Sequence, residues 1–117
     1  MTIHLYGIPN CDTVKKARKW LEAAGKDYTF HDYKKEGADR AKLESWVEAK
    51  GWEVLLNKRG TTFRKLDEAD KQDIDRAKAL KLLEANTSMI KRPVMEDGAS
   101  GKITVGFAPE QFEAEWG

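Results

Sequence analysis

The feature that most constrains this chain lies in its first 33 residues. Thr2 to Tyr6 is a short run of β-branched and aromatic residues closed by Gly7-Ile8-Pro9-Asn10, which reads as a buried strand followed by a turn. From Cys11 onward, Val14, Ala17, Leu21 and Ala24 recur three and four apart, the spacing of one helix face. Gly25 then offers the left-handed conformation that ends helices. Tyr28 to Tyr33 alternates as a second strand, with Tyr28, Phe30 and Asp32 on one side and Thr29, His31 and Tyr33 on the other. Strand, a helix of about fourteen residues, and strand form a βαβ unit, which requires parallel pairing and a right-handed crossover.

The middle of the chain reads as helical. Leu43, Trp46 and Val47 predict a helix over 39–50 ended by Gly51, Val54-Leu55-Leu56 a short helical turn, and Gly60-Thr61-Thr62 a loop. Ile74, Ala77, Leu80 and Leu83 predict a longer helix over 71–85 with Asp70 as its N-cap. The pattern then returns to strands. Met89 to Glu96 reads as a strand entered through Arg92-Pro93, Asp97-Gly98 as a turn, and Lys102 to Gly106 as a strand closing an antiparallel hairpin. Pro109-Glu110-Gln111-Phe112 opens a last helix, with proline where its missing N–H costs nothing. The order β-α-β, helical insertion over about 36–88, then β-β-α, describes an α/β chain. It is a thioredoxin-like fold with a mixed four-stranded sheet, read as a single domain spanning residues 1–117.

Composition narrows the function classes. The 117 residues, 40% of them hydrophobic, suffice for one domain's core. The longest apolar runs, such as Val54-Leu55-Leu56, are far short of the ~20 residues that cross a bilayer. The start, Met1-Thr2-Ile3-His4-Leu5, does not read as a secretory leader. A net charge of +1 with 35% charged residues argues against a dedicated nucleic-acid binder. Two local runs of positive charge stand out, Lys15, Lys16, Arg18 and Lys19 after Cys11, and Lys58, Arg59, Arg64 and Lys65 around Gly60; the plain reading of each is a solvated face. One cysteine makes no internal disulfide, and a free thiol suits a reducing, cytoplasmic home.

Cys11 is the candidate reactive residue. Unpaired N–H groups and the macrodipole at a helix N-terminus both favour thiolate over thiol, and the thiolate is the nucleophile. The competing reading is a small buried hydrophobe. Asn10 is read as a helix cap, a donor to a bound group, or an ordinary turn residue, and Asp12 as pointing away from the sulfur. Val14 stands where a Cys-x-x-Cys pair would place its second cysteine, so turnover needs an external thiol, glutathione being the expected co-substrate. Arg92-Pro93 is the second signal: a cis proline here leaves backbone free to pair with a peptide-like ligand, and Arg92 suits an oxyanion or carboxylate. His4 and His31 read as isolated strand-surface residues, and no metal site is expected.

Taken together, Ile3 to Ala17 (Ile-His-Leu-Tyr-Gly-Ile-Pro-Asn-Cys-Asp-Thr-Val-Lys-Lys-Ala), Tyr28-Thr29-Phe30-His31-Asp32-Tyr33, Phe63-Arg64-Lys65-Leu66, Ile90-Lys91-Arg92-Pro93-Val94 and Val105-Gly106-Phe107 resemble the arsenate reductase-like (ArsC) family. Within it they look most like the small YffB-type proteins, neighbours of the Spx regulators. The resemblance spans essentially the whole chain. It implies the thioredoxin fold with a helical insert, Cys11 as nucleophile, and a cis Arg92-Pro93 bond beside it. Family members that reduce arsenate surround the oxyanion with arginines. Arg92 matches one, while Asn57, after Leu55-Leu56, and Phe107, before the last helix, stand where two others are expected; Lys58 or Arg59 is the nearest substitute for the former.

Three functions follow as expectations. The first is a glutathione-dependent thiol–disulfide oxidoreductase that deglutathionylates mixed disulfides, with Cys11 as nucleophile and Arg92, Asn10, Lys58, Arg59 and Pro93 around the substrate. The second is an arsenate reductase-like enzyme with an incomplete arginine set. The third is a non-catalytic Spx-like regulator or adaptor that binds RNA polymerase, or a redox sensor that is merely glutathionylated. The expected partners are glutathione, glutathionylated thiols and a protein, with no direct nucleic-acid or membrane contact.

Overall fold

The computed structural model describes residues 2–37 and 39–117, with residue 34 described by its backbone alone. The chain forms two compact units, Met1–Asp32 with Arg92–Gly117, and Tyr33–Lys91.

The first unit is built on a four-stranded sheet. Strand β1 (Ile3–Gly7) pairs in parallel with β2 (Tyr28–Asp32) and antiparallel with β3 (Val94–Asp97), which pairs antiparallel with β4 (Ile103–Val105), in the order β2-β1-β3-β4. Helix α1 (Asp12–Ala23) links β1 to β2. It ends as Gly25 requires: Gly25 takes φ +70°, its N–H bonds the Glu22 carbonyl at 3.1 Å, and the Lys26 N–H bonds the Leu21 carbonyl at 3.0 Å. That is a Schellman closure. Ala24, expected on the buried face, lies past the helix end and is exposed.

Alternation along the strands sends Ile3, Leu5 and Met95 to one side of the sheet. There they form a core with Ala17 and Leu21 of α1 and with Phe112 and Trp116 of the C-terminal helix (Pro109–Trp116). Trp20 and Phe107 meet Phe112 edge-on, at centroid distances of 5.2 and 4.7 Å, the arrangement that ring quadrupoles prefer. The buried Trp116 indole N–H is satisfied by the Thr104 hydroxyl at 3.1 Å.

The hairpin is pinned by Asp97. Its carboxylate accepts from the N–H groups of Thr2 (3.0 Å) and Ala99 (3.0 Å) and from the Ser100 hydroxyl (2.8 Å). The Ala99 N–H first, then Ser100 and Thr2, hold its pKa down to about 2. A carboxylate depressed on folding contributes stability above its unfolded pKa of ~3.9, and that contribution is lost as pH falls through the folded value. Chemical denaturation at stepped pH should therefore show wild-type stability falling between about pH 4 and pH 2, with a flatter slope across that window in Asp97→Ala. An unchanged slope would assign the acid loss to other groups.

The second unit contains α2 (Tyr33–Glu36), α3 (Arg40–Lys50), α4 (Trp52–Leu55), α5 (Thr61–Arg64), α6 (Glu68–Lys71) and α7 (Arg76–Ala85), then a 3₁₀ turn at Thr87–Met89; the C-terminal helix of the first unit is α8. Its buried residues include Leu43, Trp46 and Val47 of α3 and Leu80, Leu82 and Leu83 of α7, two helices in mutual contact.

Several expectations are corrected here. Gly60-Thr61-Thr62 is not simply loop: Thr61 opens a helical turn, with the Arg64 N–H on the Gly60 carbonyl at 3.2 Å and Phe63 buried beneath. Asp70 is not the cap of the long helix. Asp75 is, accepting from the Lys78 N–H at 2.9 Å, and Asp73 at φ +52° breaks the chain between α6 and α7. Ala77, placed on the core face, is exposed, and Ala79 is buried instead. Tyr33 begins α2 rather than ending β2. The strand expected from Met89 starts only at Val94, because the backbone around Met89 and Lys91 is bonded elsewhere: the Asn57 N–H meets the Met89 carbonyl at 2.8 Å, and the Lys91 N–H meets the Leu55 carbonyl at 2.7 Å. Among the described residues no helix is long and apolar enough to cross a membrane.

Candidate functional site

At its C-terminal end β1 runs directly against α1. A Cβ on Gly7 would lie 2.7 Å from Val14 Cγ2, so only glycine lets the strand and the helix's first turn approach this closely. Val14 is fully buried by that approach. Between them Ile8-Pro9-Asn10 turns the chain, and Cys11 becomes the N-cap of α1 with extended backbone at φ −91°, ψ 125°. Its carbonyl accepts the first helical bond, from the Lys15 N–H at 2.9 Å.

Cys11 is a free, half-exposed thiol, not a core hydrophobe. Partial burial is the largest influence on its ionisation and raises the pKa. The Val14 N–H, the hydrogen bond from the Arg92 guanidinium, the Thr13 N–H and the Arg92 charge act the other way and prevail, so the thiol is held below its ordinary value. The neutral thiol makes no capping hydrogen bond; the donors of the first turn favour its charged form. A half-exposed, readily ionised sulfur with a guanidinium beside it can attack a disulfide or another electrophile.

Arg92 arrives from the start of β3 through a cis Arg92-Pro93 bond, with Pro93 buried. The structure thus brings Cys11 and Arg92 together, with Pro93 next in the chain. Asn10 is exposed and does not cap α1, because Cys11 occupies that position. Asp12 is exposed on the first turn. Arg92, not the lysines that follow Cys11, is the charged group that acts on the sulfur. Lys58 and Arg59 are exposed residues of the second unit. The Lys58 ammonium lies 5.5 Å from the centroid of the Trp52 ring, and the Arg59 N–H donates to Asn57 Oδ1 at 3.1 Å. Phe107 packs on Phe112 within the apolar core of its unit, so its position offers an oxyanion nothing.

His4 and His31 are not isolated. In the β1–β2 register His31 lies opposite Tyr6, one step diagonal to His4. His4 Nδ1 and His31 Nε2 are 2.9 Å apart, and the Tyr6 and His31 rings stack at 4.5 Å. Among the described residues no group of three His, Cys, Asp or Glu side chains is placed to hold a metal ion. The unpaired N–H groups expected at the start of the helix are those of Thr13 and Val14; sequence reasoning missed the close approach at Gly7, for which Gly7 just before the turn was the available signal.

A mixed four-stranded sheet of this order, with a lone cysteine at the start of its first helix, defines a thioredoxin-like α/β protein. The chain belongs to the ArsC family, whose profile matches residues 6–115. It is similar to an uncharacterised protein of Haemophilus influenzae, 44% identical over 96% of each chain. It is also similar to a solved structure of a YffB protein, 52% identical with a TM-score of 0.94, covering 99% of this chain and 100% of that one. The global transcriptional regulator Spx of Streptococcus pyogenes is 26% identical over 96% of this chain and 83% of its own length. The fold is therefore at once arsenate reductase-like and Spx-like.

Proposed function

We propose that this protein is a glutathione-dependent thiol–disulfide oxidoreductase acting through Cys11 alone. The observation that carries the reading is the sulfur itself, half exposed and held toward thiolate by the Val14 and Thr13 N–H groups and the Arg92 guanidinium. The thiolate attacks the glutathione sulfur of a mixed disulfide, the substrate thiolate leaves and takes a proton from water, and Cys11 carries the glutathionyl group. A second glutathione, as thiolate, then attacks that bond, freeing Cys11 and leaving oxidised glutathione. With no second cysteine in the chain, glutathione is the resolving thiol. Arg92 and the backbone at Pro93 hold the glutathionyl moiety, with Asn10 at the rim. No metal takes part, and a free thiol of this kind belongs in the reducing cytoplasm.

The test is intact-mass analysis after treatment with oxidised glutathione. Wild type is expected to gain one glutathionyl group, mapped to Cys11 and removed by reduced glutathione; an unmodified protein at neutral pH would overturn the reading. The regulator reading rests on the likeness to Spx. Polymerase capture that is indifferent to Cys11→Ser, with no adduct formed, would favour it instead.

A further inference from the structure

Helix α1 exposes Lys15, Lys16 and Lys19 in the turns that follow Cys11. Lys15 and Lys19 are four apart and Lys16 and Lys19 three apart, so Lys19 neighbours both along an arc of about 100°, and Lys19 lies about 12 Å along the axis from Cys11 at 1.5 Å per residue. Among the described residues none of these ammonium groups has an ion-pair partner. The helix acids Asp12 and Glu22 are exposed too and leave them unneutralised. Arg18, by contrast, is engaged: its Nε donates to the Tyr28 hydroxyl at 3.0 Å, and its guanidinium lies 4.5 Å from the centroid of the Phe30 ring. Like charges at i,i+4, as in Lys15 and Lys19, repel one another. The helix keeps this arrangement in a chain whose net charge is only +1. An anionic partner seated here relieves the repulsion, and at Lys15 it reaches within about one helical turn of Cys11.

We infer that the lysine face of α1 docks the polypeptide portion of the substrate, so that the protein selects glutathionylated cysteines flanked by acidic residues. The inference rests on the thiol-exchange reading of Cys11. Arg92 serves the sulfur and the lysines do not, so the two groups of cations divide the work between chemistry and partner choice. The exchange is unchanged: the peptide–glutathione disulfide breaks, Cys11 takes the glutathionyl group, the peptide thiolate leaves and is protonated, and a second glutathione regenerates Cys11.

The experiment compares three synthetic peptides, each with one glutathionylated cysteine flanked by glutamates, serines or lysines, on the full chain. At about 0.01 M salt the acidic peptide is expected to react about ten-fold faster than the basic one. Near 1 M, where the Debye length falls to about 3 Å, the difference should vanish. Combining Lys15→Glu, Lys16→Glu and Lys19→Glu should reverse the preference while leaving the rate on the mixed disulfide of glutathione with a small uncharged thiol within about two-fold. The corresponding glutamine variant serves should the reversal impair folding. Equal rates on acidic and basic peptides, or a preference that survives the substitutions, overturn the inference and leave the exchange reading intact. No turnover of any peptide, with no adduct at Cys11, overturns both.

Discussion

Cys11→Ser will abolish the glutathionyl adduct and reduce turnover of glutathione mixed disulfides by roughly 10³-fold or more, since an unactivated serine hydroxyl is a poor nucleophile at neutral pH. The fold should be untouched or slightly firmer. Cys11 is the N-cap of α1 and forms no side-chain cap as a thiol, whereas serine ranks among the best N-caps, worth about 1 kcal/mol over residues that do not cap. Paired measurements decide the matter: mass analysis and turnover for the chemistry, denaturant midpoint for the fold. Loss of activity with an equal or higher midpoint assigns the chemistry to the sulfur. Retained turnover would move it elsewhere.

Arg92→Ala is expected to have the next largest effect. A hydrogen bond to a charged group is worth roughly 1.5–3 kcal/mol, which at 1.36 kcal/mol per decade corresponds to about ten- to a hundred-fold in rate if the bond is made to the reacting thiolate. The variant should also shift the pH dependence of alkylation by iodoacetamide to higher pH, because it removes both the guanidinium hydrogen bond and the positive charge that lower the Cys11 pKa. Arg92→Lys keeps the charge without the planar fork and should recover only part of the rate. A loss of rate with an unmoved pH profile would mean that Arg92 only shapes the start of β3.

What the sequence made legible was mostly local. The path from β1 through Cys11 and α1 to β2 could be read because alternation, a 3.6-residue period and Gly25 all lie within a few residues of what they specify. The stretch between Gly60 and Asp75 could not: α5 and α6 are single turns, too short for a period, and the break between α6 and α7 depends on Asp73 accepting a left-handed conformation. The start of β3 was misjudged because the backbone of Met89 and Lys91 is committed to residues 55–57, a non-local pairing. The His4–His31 contact needs the β1–β2 register before it can be seen. The meeting of Cys11 with Arg92 depends on β3 lying antiparallel to β1; periodicity carries no trace of it, and only the family resemblance placed the two side by side.

The burial of Val14 beneath Gly7 has an evolutionary side. Its isopropyl group fills the space under Gly7, which the smaller side chain of a cysteine would not overfill, and its own N–H already faces the Cys11 sulfur. Under the proposed exchange, one side chain separates a protein that borrows its resolving thiol from one that would carry it. On that reading, a glutathione-fed exchanger and a self-closing redox switch would differ at one buried position of the same scaffold.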